Sequence, residues 1–433
     1  MLKQLFEKAR KVADDVEIYS VRMEKYPVSF SANSLKSIKS QLTRGTGLRV
    51  IKDGRLGFSS DTGSSDHDSL IDRALTSARL GPPATFSFCR DNRTTPVDLF
   101  DPRTVSFEIE EAVEMGQKMI DHVVDNASDT INDASVTRYF IEVTYIAEDV
   151  EKTYYKTLLT RGVHCMKITD DGFIYISQSD SSCRLPDDLM ALSRRIVRKL
   201  PYTEKVFQMP SKPTQVIFHP KAACYLIDPL VAGLSGRSLV SGTSPLLGRH
   251  NRWILDQRFT LADDPTIALG TSSQSFDGEG IPRCRQVLFD HGVLSNYLLD
   301  QSTASQLEME PNGCAQRSLG SPPSPGSSNL VVSGGDTPLQ DMIEGIDEGL
   351  LVEEVIGGGQ SNVIAGEFSM NVSLGFKIEK GKVVGRVRDN MIAGNVYELL
   401  KDNLEALSVE TETDDSLTAP YFMFRDLSVS GKN

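Results

Sequence analysis

From residue 215 onward the chain is cut at short intervals by glycine. Apolar runs are interrupted at 276–280, 333–335, 357–359 and 379–381. Glycine adopts turn conformations that other residues resist, and it packs nothing inside a strand. Runs separated this way fold back on one another, so the spacing predicts one or two helices followed by many short strands in a large antiparallel sheet or barrel. Residues 321–328, rich in Pro, Ser and Gly, read as an exposed loop.

The first half has another texture. Leu2, Leu5, Phe6, Ala9, Val12 and Ala13 recur at helical spacing, as do Leu70, Ala74, Leu75 and Ala78. The run 16–23 is β-type. Asp53-Gly54, between two apolar-bearing runs, is a hairpin signal. Pro82, Pro83, Pro96 and Asp101-Pro102 mark a loop. Ile109, Ala112, Val113, Met119, Ile120, Val123 and Val124 predict a long amphipathic helix. Strand-like runs follow at 136–147 and 172–177, then a helix over 189–200. Pro201, Pro210 and Pro213 bracket a linker. The expected fold class is α+β, with an N-terminal sheet-plus-helices part and a C-terminal antiparallel β-sheet or barrel domain. Its expected divisions are an N-terminal α/β region 1–103, a middle helix-and-strand region 104–204, a linker 205–214 and a β-rich domain 215–433.

Charge narrows the partners. Among 433 residues, 46 Lys+Arg against 59 Asp+Glu give a net charge of −13, and no basic run of five residues occurs. Nucleic acid and anionic membrane surfaces, which need clustered cations, are therefore not expected partners. No run reaches the ~18 apolar residues of a membrane helix, and 1–12 does not read as a signal segment. The six cysteines are scattered without a CxxC pair, which suits reduced thiols in a cytoplasm.

Chemistry-bearing motifs are sparse. No two of the six histidines lie at the i, i+4 spacing of a helical zinc pair, and no GxSxG elbow occurs. Asp263-Asp264-Pro265 and Phe276-Asp277-Gly278-Glu279-Gly280 place two acidic clusters about a dozen residues apart. Such clusters bind a cation or act as an acid/base pair, and they are also ordinary turn sequences. Ile356-Gly357-Gly358-Gly359-Gln360 lacks the residues that complete a phosphate cradle. It reads as a bulge or a close strand crossing, or as an edge where an extended peptide pairs. Gly357, Gly358, Gly359 and Gln360, with Asp277 and Glu279, are the candidate peptide contacts.

Several pieces occur together and in order. They are Gly47-Leu-Arg-Val-Ile-Lys-Asp-Gly-Arg-Leu-Gly57, Phe276-Asp-Gly-Glu-Gly280 with Pro282, and Asp300-Gln-Ser-Thr-Ala304 with Asn312-Gly313. Gly349-Leu-Leu-Val352, Gly366-Glu-Phe-Ser369, Ile378-Glu-Lys-Gly381, Ile392-Ala-Gly-Asn395 and Asp426-Leu-Ser-Val-Ser-Gly431 follow. This order resembles the TldD/PmbA family over nearly the whole chain, and more specifically its PmbA (TldE) branch. The resemblance implies a cytoplasmic TldD/TldE heterodimer acting as a metallopeptidase on unfolded or short peptides, including microcin precursors and a labile antitoxin. In that family the TldD subunit binds zinc through two histidines of an HExxxH helix and a later cysteine.

Gly233-Leu-Ser-Gly236 resembles the family's Gly-Leu-Glu-Gly and sets the register, so the HExxxH positions become Ile227, Asp228 and Ala232. Both histidines are absent, and no cysteine follows Cys314. Pro229 is expected to bend this helix. The resemblance therefore implies a non-catalytic subunit with no metal, no cofactor and no catalytic residue of its own. Its partner would be a TldD-like zinc-binding chain, with a homodimer formed when it is alone and an extended peptide as substrate. Two alternatives stay open: a stand-alone hydrolase using Asp263, Asp264, Asp277 and Glu279, or a peptide-binding assembly module with no protease partner.

Overall fold

A computed structural model describes residues 1–63, 66–170, 172–357 and 362–431. Its first sheet is antiparallel throughout. It contains β1 (Asp15–Ser31), β2 (Ser34–Ile38), β3 (Gln41–Lys52), β4 (Arg55–Asp61), β5 (Thr130–Ala147), β6 (Val150–Thr169) and β7 (Gly172–Ser182). The order is β4-β3-β1-β5-β6-β7, with β2 beside β1. Asp53 and Gly54 turn β3 into β4 with φ of 49° and 70°, the left-handed pair that a two-residue hairpin requires.

The first two expected regions are not separate. β1 pairs with β5 from Ile18 opposite Ile146 to Phe30 opposite Ala134, so 1–103 and 104–204 build one sheet. The prolines between them mark an excursion from that sheet, because strand pairing here links residues more than a hundred positions apart. β6 escapes the sequence reading for a physical reason. Its inward face carries Lys152 and Lys156 among Val150 and Tyr154, which breaks the apolar alternation.

Helices α1 (Leu2–Ala9) and α2 (His67–Ala78) cover one end of the sheet, over Val16, Ile18, Leu48, Val50 and Ile146. A short α3 (Pro102–Ser106) precedes α4 (Ile109–Asn126), which covers the other end together with α5 (Ala191–Lys199), over Val28, Phe30, Ala134, Val136 and Ile176. Glu111 in the first turn of α4 accepts the Glu108 N–H at 2.7 Å, a capping contact that starts the helix. The opposite sheet face, with Tyr19, Val143, Tyr145 and Tyr154, packs around Phe276 of the second lobe.

The second lobe is built on β8 (Val206–Phe207), β9 (Lys212–Phe218), β10 (Leu261–Asp263), β11 (Gln286–Asp290), β12 (Val293–Leu294), β13 (Ala315–Gln316), β14 (Ser324–Pro325) and β15 (Leu330–Val332). It continues through β16 (Glu348–Ile356), β17 (Glu367–Glu379), β18 (Lys382–Val387), β19 (Asn390–Asn395), β20 (Leu404–Asp414) and β21 (Leu417–Gly431). The pairing β21-β9-β16-β17-β19 returns to β21 and closes a ring. Closure removes the exposed strand edges that an open sheet of this size would carry. The segment 205–214, expected as a linker, belongs to this sheet: β8 pairs with β18, and β9 begins at Lys212. Several strands are longer than the glycine spacing suggests. β17 has 13 residues because alternation runs on through Ser369, Asn371 and Ser373, whose side chains face out. Helix α6 (Cys224–Leu234) packs Leu226, Ile227, Leu230 and Leu234 into the core of this ring. Two short helices follow, α7 (Gly236–Val240) and α8 (Gln301–Gln306).

Candidate functional site

The approach to α6 begins at His219, where β9 ends. His219 Nδ1 accepts the Lys221 N–H at 3.0 Å and so caps the turn that leads into the helix. Burial, then the charge of Lys199, lowers its imidazole to about 3. It is a neutral ring serving as a backbone cap, although Nε2 stands 3.7 Å from both Glu353 and Glu412.

Pro229 lies inside α6 and withdraws one backbone donor there. The three register positions separate by environment. Ile227 is fully buried in the apolar core, Ala232 is half-buried and Asp228 is exposed. Protein bulk around its carboxyl nevertheless raises Asp228 above the ordinary carboxylate range. One turn earlier, Cys224 is pushed up to about 12 by burial, then by Asp228 and Asp414. With no cation to offset this among the described residues, Cys224 is a protonated thiol. Lys221 fills the neighbouring space, its Nζ donating to Ser177 Oγ at 2.7 Å, to the Ser177 carbonyl at 2.8 Å and to Glu354. Among the described residues no three His, Cys, Asp or Glu side chains converge as metal ligands. On the register expected from the resemblance, an apolar side chain and a methyl occupy the two imidazole positions, a donor set that does not fit zinc.

Gly357 continues from β16 in an exposed position with φ of 98° and open space around its Cα. Gly358, Gly359 and Gln360 lie outside the described residues.

The acidic clusters are brought together, but inside the protein. Glu17 of β1 grips Arg49 of β3 through two bonds of 2.6 and 2.7 Å. Arg49 Nη1 crosses to Glu279 Oε1 of the second lobe at 2.8 Å. Arg317 of the second lobe returns to Glu17 at 2.5 Å. Glu279 Oε2 accepts the Gln301 N–H at the start of α8, at 2.7 Å. Asp277 accepts three backbone N–H groups, from Glu279 and Ile281 at 2.9 Å and Ala315 at 3.0 Å. Asp263 pairs with Arg283 at 3.1 Å and accepts from Ser328 Oγ at 2.7 Å.

Burial opposes ionisation throughout this network, yet the two guanidiniums hold Glu17 below its ordinary range. Burial raises Glu279 and Asp277. Arg49 works against this at Glu279, and the neighbouring carboxylates Asp277, Asp300 and Glu17 reinforce it. Asp277 and Glu279 are 1% and 0% exposed, and Asp263 is 0% exposed, so none of the three presents a surface to a peptide or substrate in this conformation. Asp264 alone of the four is half-buried, and it caps the local turn by accepting from Thr266 N and Oγ at 2.9 and 2.6 Å. Glu17, Arg49 and Arg317 were not singled out from sequence. Their signal was a charge set between apolar neighbours, as in Val16-Glu17-Ile18 and Leu48-Arg49-Val50.

An open antiparallel sheet latched by buried charges to a closed β ring, with a helix threaded into that ring, defines a two-lobed α+β protein. The family model described as "PmbA/TldA metallopeptidase C-terminal domain" matches residues 211–431, and "PmbA/TldA metallopeptidase domain 1" matches 16–78. The chain belongs to the PmbA/TldD family. An uncharacterised protein of Methanocaldococcus jannaschii is 23% identical over 431 residues, covering 98% of each chain. A metalloprotease of Methanothermobacter thermautotrophicus is 31% identical over 217 residues, about half of each protein (50% of this chain, 47% of that one). Among solved structures, TldE from Thermococcus kodakarensis shares the fold with a TM-score of 0.92 at 24% identity, over 99% of this chain and 100% of that one. No helix among the described residues is long and apolar enough to cross a membrane.

Proposed function

We propose that this chain is the metal-free, TldE-type subunit of a two-chain zinc metallopeptidase that cleaves unfolded or short peptides. Its partner is a TldD-like chain that carries the zinc. The observation behind the reading is the helix that should hold the ion: Ile227 is committed to the apolar core and Ala232 has no donor. Asp228 keeps a carboxyl, but Ile227 and Ala232 give it no metal-ligating side chain to hold the ion whose water such a base would activate. The sealed carboxylates argue against a stand-alone hydrolase, since Asp263, Asp277 and Glu279 already spend their oxygens on internal donors. The remaining role is architectural, closing a chamber over the partner's zinc and offering it backbone, with Gly357 at the exposed end of β16 as one peptide contact. All six cysteines are free thiols, which suits the cytoplasm.

The test is a cleavage assay of an unstructured peptide by this chain, by a TldD-like chain and by their mixture, with zinc measured in each. Cleavage is expected from the mixture, and zinc only with the partner. Turnover by the solitary chain, or stoichiometric zinc retained by it, overturns the proposal. So does a partner equally active without it.

A further inference from the structure

β4 leaves the first sheet at Asp61, opposite Thr46. From Gln41 to Gly45 the β3 strand keeps β1 on one side, and among the described residues no strand on the other. At this corner an open cleft of about 640 Å³ is lined by Leu2, Val21, Leu42, Thr43, Arg44 and Thr62 among others. Natural sheets blunt such edges with lysine, proline or a covering element. Here the edge instead presents Leu42, 54% exposed.

Arg22, Arg44 and Glu142 all line the cleft, and among the described residues only Arg44 of these three is left without an ion pair. Arg22, the cross-strand neighbour of Arg44, is bound to Glu24 and lies 3.9 Å from Glu142. Arg44 is exposed and, among the described residues, makes no hydrogen bond or ion pair. The corner thus combines an unpaired strand edge, a guanidinium with no ion-pair partner among the described residues and an exposed apolar side chain. An unpaired edge fits an extended backbone, a guanidinium fits a planar anion held by two hydrogen bonds, and Leu42 fits an apolar residue.

We infer that this cleft binds the C-terminal end of an extended peptide. The peptide takes the place β4 vacates, its backbone pairing with β3 between Gln41 and Gly45, its α-carboxylate on Arg44 and its last apolar side chain against Leu42 and Leu2. The site is separate from α6, and it takes from the proposed function only the idea that peptides are ligands.

The experiment measures fluorescence anisotropy of the purified full chain with an N-terminally labelled hexapeptide ending in Val-Leu, as the free acid and as the amide. Amidation is expected to weaken binding by about ten-fold or more, the range of a charged hydrogen bond. Arg44→Gln should weaken the acid to the level of the amide and leave the amide unchanged. Because Arg44 is exposed and unpaired, this variant keeps its fold, which circular dichroism verifies. Leu42→Ser should weaken both peptides. Equal binding of acid and amide, no effect of Arg44→Gln, no binding of either peptide, or displacement by acetate at the peptide's own potency would each overturn the inference. The readout needs neither partner nor zinc, so a failed pairing assay leaves it standing, and its failure leaves the pairing untouched.

Discussion

Arg49 is 2% exposed and lies between two carboxylates from different lobes, Glu17 at 2.6 Å and Glu279 at 2.8 Å. Removing one partner from such a buried set leaves charge without compensation, a loss of roughly 3–5 kcal/mol. Glu17→Gln should therefore lower stability toward urea by about that amount near neutral pH. The two glutamates have opposite pH signatures. Glu17 is held below its ordinary value in the fold, so its contribution is present above that ordinary value and is lost as pH falls through the folded value. Glu279 is raised, so its contribution is complete below the ordinary glutamate value and is lost as pH rises through the folded one. Urea midpoints measured across pH should show Glu17→Gln flattening the acid limb and Glu279→Gln flattening the alkaline limb. If both variants only shift the curve downward, the assignment is wrong. Neither Glu17 nor Arg49 could be placed from sequence, because an acidic or basic residue between apolar neighbours reads as the wet side of a strand. Here that side faces the other lobe.

At the scale of elements, α4 was legible in its periodicity, expected over 109–124 and found at Ile109–Asn126. The contact it makes was not. A Cβ at Gly116 would stand 2.1 Å from the Phe30 ring on β1, so the helix seats on the sheet through this glycine. Two effects compete in Gly116→Ala. Helix propensity favours alanine by about 1 kcal/mol, and overpacking against the ring costs about 1–3 kcal/mol. The steric term should win, lowering the thermal midpoint, and adding Phe30→Leu should restore part of the loss. A Gly116→Ala protein more stable than the parent would show that the helix stands off the sheet. β6 teaches the converse. Its lysines are tolerated inside because carbonyls of the second lobe meet them, Lys152 with Gly280 O at 2.7 Å and Lys156 with Ser273 O at 3.1 Å. No local pattern announces such partners.

Across the whole molecule the two lobes are tied by that network and by Gly280. This glycine has φ of 76° and sits where a Cβ would fall 2.5 Å from the Tyr145 ring. In Phe276-Asp-Gly-Glu-Gly280, therefore, the final glycine serves the fit between lobes, and Asp277 serves the turn itself. The parent protein should unfold in a single calorimetric transition. Gly280→Ala, strained by its backbone and by the ring, should split it into two, the first at lower temperature. A single transition in the variant would mean the lobes do not depend on this contact.

The sequence by itself determined the family and the poverty of the α6 site. With no histidine between His219 and His250 and no cysteine after Cys314, the chain lacks the helical imidazole pair and the late thiolate that the resemblance calls for, and no folding adds those side chains. The α+β class and the hairpin at Asp53-Gly54 were equally local matters of periodicity and backbone preference. Tertiary structure alone decided what became of the carboxylates and where the sheet was left open. An acidic turn looks the same in sequence whether water or an arginine from another lobe stands over it, since burial is set by neighbours hundreds of residues away.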